Sequence, residues 1–262
     1  FLKSVIVSGL GKMGTELIRT IEESDKFETI SIIEPMQKIT KYKTKNQEYP
    51  VFQDPAEAFE NKTADVVVDF TNAEFTKKLA PLVFDSRMSL VVGTSNLSQK
   101  TIDYIKKTSN EKKLGCVVAS NFALGAVLMM YFSEKAAPFY NVVEIIESHH
   151  DQKIDSPSGT AMDTAQRIVK NAKNQYTLNI AEQEKIKNAR GANFDGVSLH
   201  SVRLPGVIAN QEVMFSAADE VLSIEHKTIG RKSFMPGIIM AIEYASNNNN
   251  FLFGLEEVIG IN

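Results

Sequence analysis

Near its start the chain runs from a β-branched stretch, Val5-Ile6-Val7, into Ser8-Gly9-Leu10-Gly11-Lys12-Met13-Gly14. An apolar stripe at Met13, Leu17, Ile18 and Ile21 then follows at helical spacing. A second apolar strand, Thr29-Ile30-Ser31-Ile32-Ile33, ends at Glu34, twenty residues after Gly14. Strand, Gly-x-Gly-x-x-Gly, helix, strand and acid in this order leave few folds open. The glycines permit a tight turn and let backbone approach a pyrophosphate, which the helix N-terminus then stabilises. The acid accepts hydrogen bonds from ribose hydroxyls. A glycine loop alone is a weak signal; its placement between these elements makes it specific.

The theme repeats downstream. Asp65-Val66-Val67-Val68-Asp69-Phe70, Ser89-Leu90-Val91-Val92-Gly93 and Gly115-Cys116-Val117-Val118-Ala119 read as buried strands. Helical segments lie between them, around 75–84 and 102–107. Unbroken β-branched strands alternating with helices imply a parallel sheet covered on both faces. The pattern changes after about residue 120. A helical stretch over 122–139 precedes a strand at 142–147, and Met162, Ala165 and Val169 mark one face of another helix. Residues 173–195 are polar and read as loop. Pro205-Gly206 is a turn signal between strands at 197–204 and 207–215. Leu222-Ser223-Ile224-Glu225 alternates as a half-exposed strand does, and 238–245 is helical again. The expected architecture is α/β: a Rossmann-type domain from residues 1–120 and 234–262, and an α+β domain with a mixed sheet from 121–233.

Charge and composition narrow the function classes. A net charge of −3 is a weak argument against a nucleic-acid or membrane-surface role. No apolar run approaches the ~18 residues of a membrane span. Cys116 is the only cysteine, so no intrachain disulfide forms. It sits in an apolar strand and reads as an inert core residue, which disfavours thiol chemistry. The chain begins Phe1-Leu2-Lys3 without an initiator Met, so the lack of a leader constrains its location little.

The chemistry concentrates in Glu147-Ser148-His149-His150-Asp151-Gln152-Lys153-Ile154-Asp155-Ser156-Pro157-Ser158-Gly159-Thr160-Ala161. Two imidazoles and an ammonium can bind and protonate an anionic substrate. The Ser-Pro-Ser-Gly-Thr helix start presents free N–H groups to carboxylate oxygens. Each part alone has a bland reading: a structural histidine, a solvated lysine, an N-cap. No Cys cluster or His-x-x-x-His is present, so no metal is expected here.

This stretch closely resembles the signature of the 4-hydroxy-tetrahydrodipicolinate (dihydrodipicolinate) reductase family of the diaminopimelate route to lysine. The resemblance extends along nearly the whole chain. It takes in the glycine loop, Asp69-Phe70-Thr71, Gly93-Thr94-Ser95, Ala119-Ser120-Asn121-Phe122, Arg203-Leu204-Pro205-Gly206 and Ser233-Phe234-Met235-Pro236-Gly237. It implies His149 and Lys153 as the proton-handling residues, with His150, Gly159 and Thr160 binding the substrate. It implies cofactor contacts from Gly9, Leu10, Gly11, Lys12, Met13, Gly14, Glu34, Phe70, Thr71, Gly93, Thr94, Ser95, Ala119, Ser120, Asn121 and Phe122. The implied substrate is a cyclic dicarboxylate imine, the implied cofactor NADH or NADPH, and the implied assembly a homotetramer. The implied location is the cytoplasm, or a plastid had a transit peptide been removed.

Two details depart from the family pattern. Only Leu10 separates Gly9 from Gly11 where the family form Gly-x-x-Gly-x-Met-Gly has two residues, which reads as a shorter loop. Gly93-Thr94-Ser95-Asn96 stands in place of Gly-Thr-Thr-Gly. Cofactor choice has two opposing signals. Glu34 repels a 2′-phosphate and favours NAD, whereas Lys38, Lys41, Lys43 and Lys45 stand in the next segment, which reads as a solvated loop. Two other functions fit the glycine loop: a different two-domain NAD(P)-dependent oxidoreductase, and a non-catalytic nucleotide sensor.

Overall fold

The computed structural model describes residues 2–177 and 183–261. In chain order the elements are β1 (Lys3–Ser8), α1 (Lys12–Glu22), β2 (Phe27–Ile33), β3 (Lys41–Lys43), β4 (Glu48–Phe52), α2 (Pro55–Asn61), β5 (Val66–Asp69), α3 (Ala73–Asp85), β6 (Ser89–Val92), α4 (Gln99–Lys112) and β7 (Cys116–Val118). Then come α5 (Leu124–Ala136), a 3-10 turn (Ala137–Phe139), β8 (Val142–His149), α6 (Gly159–Asn171), β9 (Ala192–Phe194), β10 (Val197–Arg203), β11 (Ala209–Ala217) and β12 (Glu220–Thr228). A second 3-10 turn (Arg231–Phe234), α7 (Met235–Asn247) and β13 (Phe251–Phe253) complete it.

These elements form two compact units, Phe1–Phe122 with Phe234–Asn262, and Ala123–Ser233. The first holds an eight-stranded sheet in the order β13-β7-β6-β5-β1-β2-β4-β3. All its pairings are parallel except β3 with β4. The chain leaves β1 toward β2 on one side and later returns to β5 on the other. That reversal beside β1 is the topological switch point where such sheets bind ligands, at their carboxyl ends. Strands β1, β5, β6 and β7 carry Val5, Ile6, Val7, Val66, Val67, Val68, Leu90, Val91 and Val117, all fully buried as a sheet covered on both faces requires.

Several parts of this unit lie outside the sequence reading. The lysine-bearing segment is a β-hairpin rather than a loop: Lys41 pairs across it with Glu48, at 2.7 Å between Nζ and Oε1. Tyr49 and Val51 point inward from β4 and anchor it. Helix α2 starts at an Asp54 cap, whose side chain accepts from the Ala56 N–H, with Pro55 in the first turn. Strand β13 extends the sheet beyond β7.

The second unit holds a five-stranded mixed sheet, β12-β11-β8-β10-β9. Here the Pro205-Gly206 segment does not close a hairpin. Strands β10 and β11 flank β8 on opposite sides, parallel to it on one and antiparallel on the other. Strand β8 alternates, with Val143, Ile145 and Glu147 buried. Val213 and Phe215 of β11 and Val197 and Leu199 of β10 are likewise buried. Helices α5 and α6 pack against each other and against this sheet.

Candidate active site

The cofactor-facing residues expected from the sequence collect at one edge of the first sheet. Gly9 follows β1, Glu34 follows β2, Phe70 and Thr71 follow β5, Gly93–Ser95 follow β6, and Ala119–Phe122 follow β7. Since these strands are parallel, all five turns lie at the carboxyl edge. Gly9 adopts φ +99°, a left-handed conformation that favours glycine. A Cβ at Gly14 would stand 1.8 Å from the Gly9 carbonyl oxygen, so helix and loop touch backbone to backbone. A Cβ at Gly11 would meet nothing within 4 Å. Gly11 caps α1 without any side-chain hydrogen bond, which leaves the helix start open for an anion.

Glu34 is buried and holds two backbone N–H groups, from Leu10 at 2.7 Å and Met36 at 2.8 Å. It thus ties the glycine loop to the end of β2. A carboxylate has about four acceptor directions, so two remain for ribose hydroxyls. Asp69 does similar work under the next turn. Its buried carboxylate accepts from the hydroxyls of Thr71 (2.6 Å), Thr76 (2.5 Å) and Thr94 (3.3 Å). Burial pushes this carboxyl up, and the threonine hydroxyls oppose that shift. Phe70 and Phe122 meet edge to face at 6.0 Å, and Gly93 leaves them room: a Cβ there would lie 2.1 Å from the Phe70 ring. Asn96 adopts φ +60°, so asparagine takes a left-handed position that glycine occupies in the family pattern. These features fit a dinucleotide.

The second constellation is built on β8, the loop after it and α6. His149 is the last residue of β8. Its Nδ1 lies 2.6 Å from Glu147 Oε2. Arg203, at the end of the neighbouring β10, grips the same carboxylate through both terminal nitrogens, each at 2.9 Å. The Ser158 N–H donates to Glu147 Oε1 at 3.2 Å. Burial alone would raise the Glu147 carboxyl, but the hydrogen bonds from His149 and Arg203 outweigh it and hold it at about 2.

Lys153 donates to Asp155 at 2.7 Å, and the Gly159 N–H also serves the Asp155 carboxylate. Burial raises Asp155, whereas these donors, Lys153 foremost, bring it below its ordinary value. Ser158 caps α6 by accepting from the Ala161 N–H, and a Cβ at Gly159 would meet nothing within 4 Å. The structure therefore places His149, Lys153 and the Gly159-Thr160 helix start on one continuous strand-loop-helix segment, with His150 between them.

Glu147 and Arg203 were not singled out for a role by sequence reasoning. A signal existed: β8 alternates, so Glu147 falls on the inward face with Val143 and Ile145, where an acid needs a partner. Cys116 is fully buried, and burial pushes its thiol well up, away from nucleophilic use. Among the described residues, no group of three or more His, Cys, Asp or Glu is placed to hold a metal.

The family model "Dihydrodipicolinate reductase, N-terminus" matches residues 3–122, and "Dihydrodipicolinate reductase, C-terminus" matches 125–259. The chain belongs to the dihydrodipicolinate reductase family. A 4-hydroxy-tetrahydrodipicolinate reductase of Bacillus licheniformis is 39% identical over 263 residues, covering 98% of each chain. That of Halalkalibacterium halodurans is 37% identical over 262 residues, covering 98% of this chain and 99% of the other. Among solved structures, a dipicolinate-bound dihydrodipicolinate reductase from Paenisporosarcina superposes with a TM-score of 0.86 at 34% identity, covering 98% of this chain and 99% of that one. A probable dehydrogenase from Thermotoga maritima, TM-score 0.64 at 10% identity over 97% of this chain and 92% of that one, shares the fold alone.

The family spacing also revises the glycine loop. Counted back from Gly11-Lys12-Met13-Gly14, the first motif glycine falls on Ser8. The loop therefore has full length, with a buried serine at the end of β1 in the first glycine's place.

Proposed function

We propose that this chain catalyses the NAD(P)H-dependent reduction of 4-hydroxy-tetrahydrodipicolinate, which loses its hydroxyl as water to give dihydrodipicolinate before the hydride adds, to tetrahydrodipicolinate in the diaminopimelate route to lysine. One observation carries the reading. His149, Lys153 and the Gly159-Thr160 helix start lie on one strand-loop-helix segment, in a chain that matches the reductase family along nearly its full length.

The loop Gly9–Gly14, through Leu10, Gly11, Lys12 and Met13, would hold the pyrophosphate at the start of α1, and Glu34 the adenosine ribose. Phe70, Thr71, Gly93, Thr94, Ser95, Ala119, Ser120, Asn121 and Phe122 would line the rest of the dinucleotide site. When bound, the dinucleotide supplies a hydride. Lys153 or His149 supplies the proton to the electron-rich carbon left after reduction, a positioned transfer worth ~10²–10⁴-fold. His150 binds a substrate carboxylate, and the backbone of Gly159 and Thr160 at the helix start receives carboxylate oxygens. In the structure Asp155 already offers a carboxylate to Lys153 and Gly159. A substrate carboxylate entering there exchanges with it, so both donors stay satisfied throughout.

Glu34, and the engagement of Lys41 by Glu48, favour NADH over NADPH. Among the described residues no helix is long and apolar enough to cross a membrane, and we place the enzyme in the cytoplasm. Strand β12 is a sheet edge with Val221 and Leu222 exposed, which supports assembly through this sheet into a homotetramer. The test is turnover. NADH oxidation should depend on dihydrodipicolinate generated enzymatically from pyruvate and aspartate semialdehyde, and Lys153→Ala should cut kcat at least about tenfold with NADH affinity intact. Activity only with unrelated carbonyl compounds would indicate another oxidoreductase, and NADH binding without turnover a sensor.

A further inference from the structure

We infer that Glu147 is the positioning residue of this site: it fixes the His149 ring through Nδ1 and gathers onto one carboxylate the three segments that meet substrate. The inference rests on the reductase reading above and assigns a role within that site. His149 at the end of β8 reaches Glu147 directly, at 2.6 Å. The start of α6 reaches it through the Ser158 N–H at 3.2 Å. The Lys153–Asp155 loop reaches it through Arg203, which bonds Glu147 with both terminal nitrogens and also donates to the Asp155 carbonyl at 2.7 Å.

The chemistry at the histidine follows from what the carboxylate can do. Glu147 is fully buried, and the donors around it keep it ionised across the neutral range. An ionised carboxylate only accepts, so Nδ1 carries a proton whenever the two are bonded. In the neutral ring the lone pair then lies on Nε2, and Nε2 is the atom left to take or give a proton. A half-turn of the ring would break the Glu147 bond, so orientation and tautomer are set together. Arg203 offsets the negative charge and prevents an unpaired carboxylate from being buried.

A merely structural Glu147 would hold β8, β10 and α6 together without setting the proton on His149. The two roles separate by spectroscopy. The chain has only four histidines, His149, His150, His200 and His226, so nitrogen-15 ring signals are assignable by single substitution. In the wild-type protein without substrate, neutral His149 should show the Nδ1–H tautomer. In Glu147→Gln the amide can either donate to Nδ1 or accept from it, so the signal should move toward a mixture. The folded variant should lose kcat by at least about tenfold, as happens when the carboxylate that sets a catalytic histidine's tautomer is replaced by an amide, with NADH affinity unchanged. A wild-type His149 protonated on Nε2 would overturn the inference, as would a smaller loss of kcat in folded Glu147→Gln. If the variant does not fold, the wild-type tautomer still decides. That reading needs no turnover, so it separates failure of this inference from failure of the proposed reaction.

Discussion

Substituting alanine separately at Gly11 and Gly14 should give opposite signatures, because the two glycines are small for different reasons. At Gly14 the new methyl would stand 1.8 Å from the Gly9 carbonyl oxygen and 3.0 Å from its carbon. Both are backbone atoms, so no rotamer relieves the contact, and helix and loop must part by more than an ångström. Overpacking of this kind costs about 1–3 kcal/mol, and displacing a binding loop by that distance weakens function ~10²-fold. Gly14→Ala should therefore lower the melting temperature and lose NADH affinity together. At Gly11 the methyl meets no protein atom within 4 Å, and the backbone there is extended at φ −69° and ψ −173°, which alanine adopts freely. Gly11→Ala should melt as the wild type does. Any loss of affinity must then come from the ligand the methyl meets, and a loss of about tenfold corresponds to ~1.4 kcal/mol. NADH fluorescence titration beside thermal melting reads both quantities. Wild-type NADH affinity in Gly11→Ala would refute a pyrophosphate at this helix start, and unchanged stability in Gly14→Ala would refute the backbone contact.

Two further predictions concern the second unit. The Glu147 carboxyl is lowered from 4.5 to about 2, so its stabilisation is present above about 4.5 and is lost as pH falls toward 2. The shift corresponds to roughly 3 kcal/mol. In urea unfolding, the stability gap between wild type and Glu147→Gln should narrow from pH 6 to pH 2.5, and a constant gap would contradict the shift. Asp155→Ala should lower the KM for the dicarboxylate several-fold by removing the internal competitor for Lys153 and Gly159. A raised KM would show that Asp155 orients Lys153 instead.

Much of the first unit was legible because buried parallel strands write themselves as unbroken apolar runs rich in β-branched residues, as in Val66-Val67-Val68 and Leu90-Val91-Val92. The glycine loop falls at their carboxyl edge, between β1 and α1. The hairpin at β3 and β4 was not legible: Lys41 and Lys43 face solvent, so its outer strand looks like a charged loop, and its inward anchors are Tyr49 and Val51 on the partner. Strand β13, Phe251–Phe253, is too short to show a period, and its identity comes from pairing with β7. In the second unit the strands were visible but their order was not. Alternation says which face is buried, not which neighbour a strand takes, and β8 inserts between β10 and β11 through contacts far apart in sequence. At the site, residue type pointed to His149 and Lys153. Glu147 showed only as an inward-facing acid of an alternating strand, and its partner Arg203 required the sheet, which brings residues 56 apart onto one carboxylate.

The most direct test of the account is to follow the hydride itself. Dihydrodipicolinate reduced with NADH deuterated at the transferred position should yield tetrahydrodipicolinate carrying one deuterium, and Lys153→Ala should slow the appearance of that label without weakening NADH binding. Oxidation of deuterated NADH that leaves no label in tetrahydrodipicolinate would contradict it.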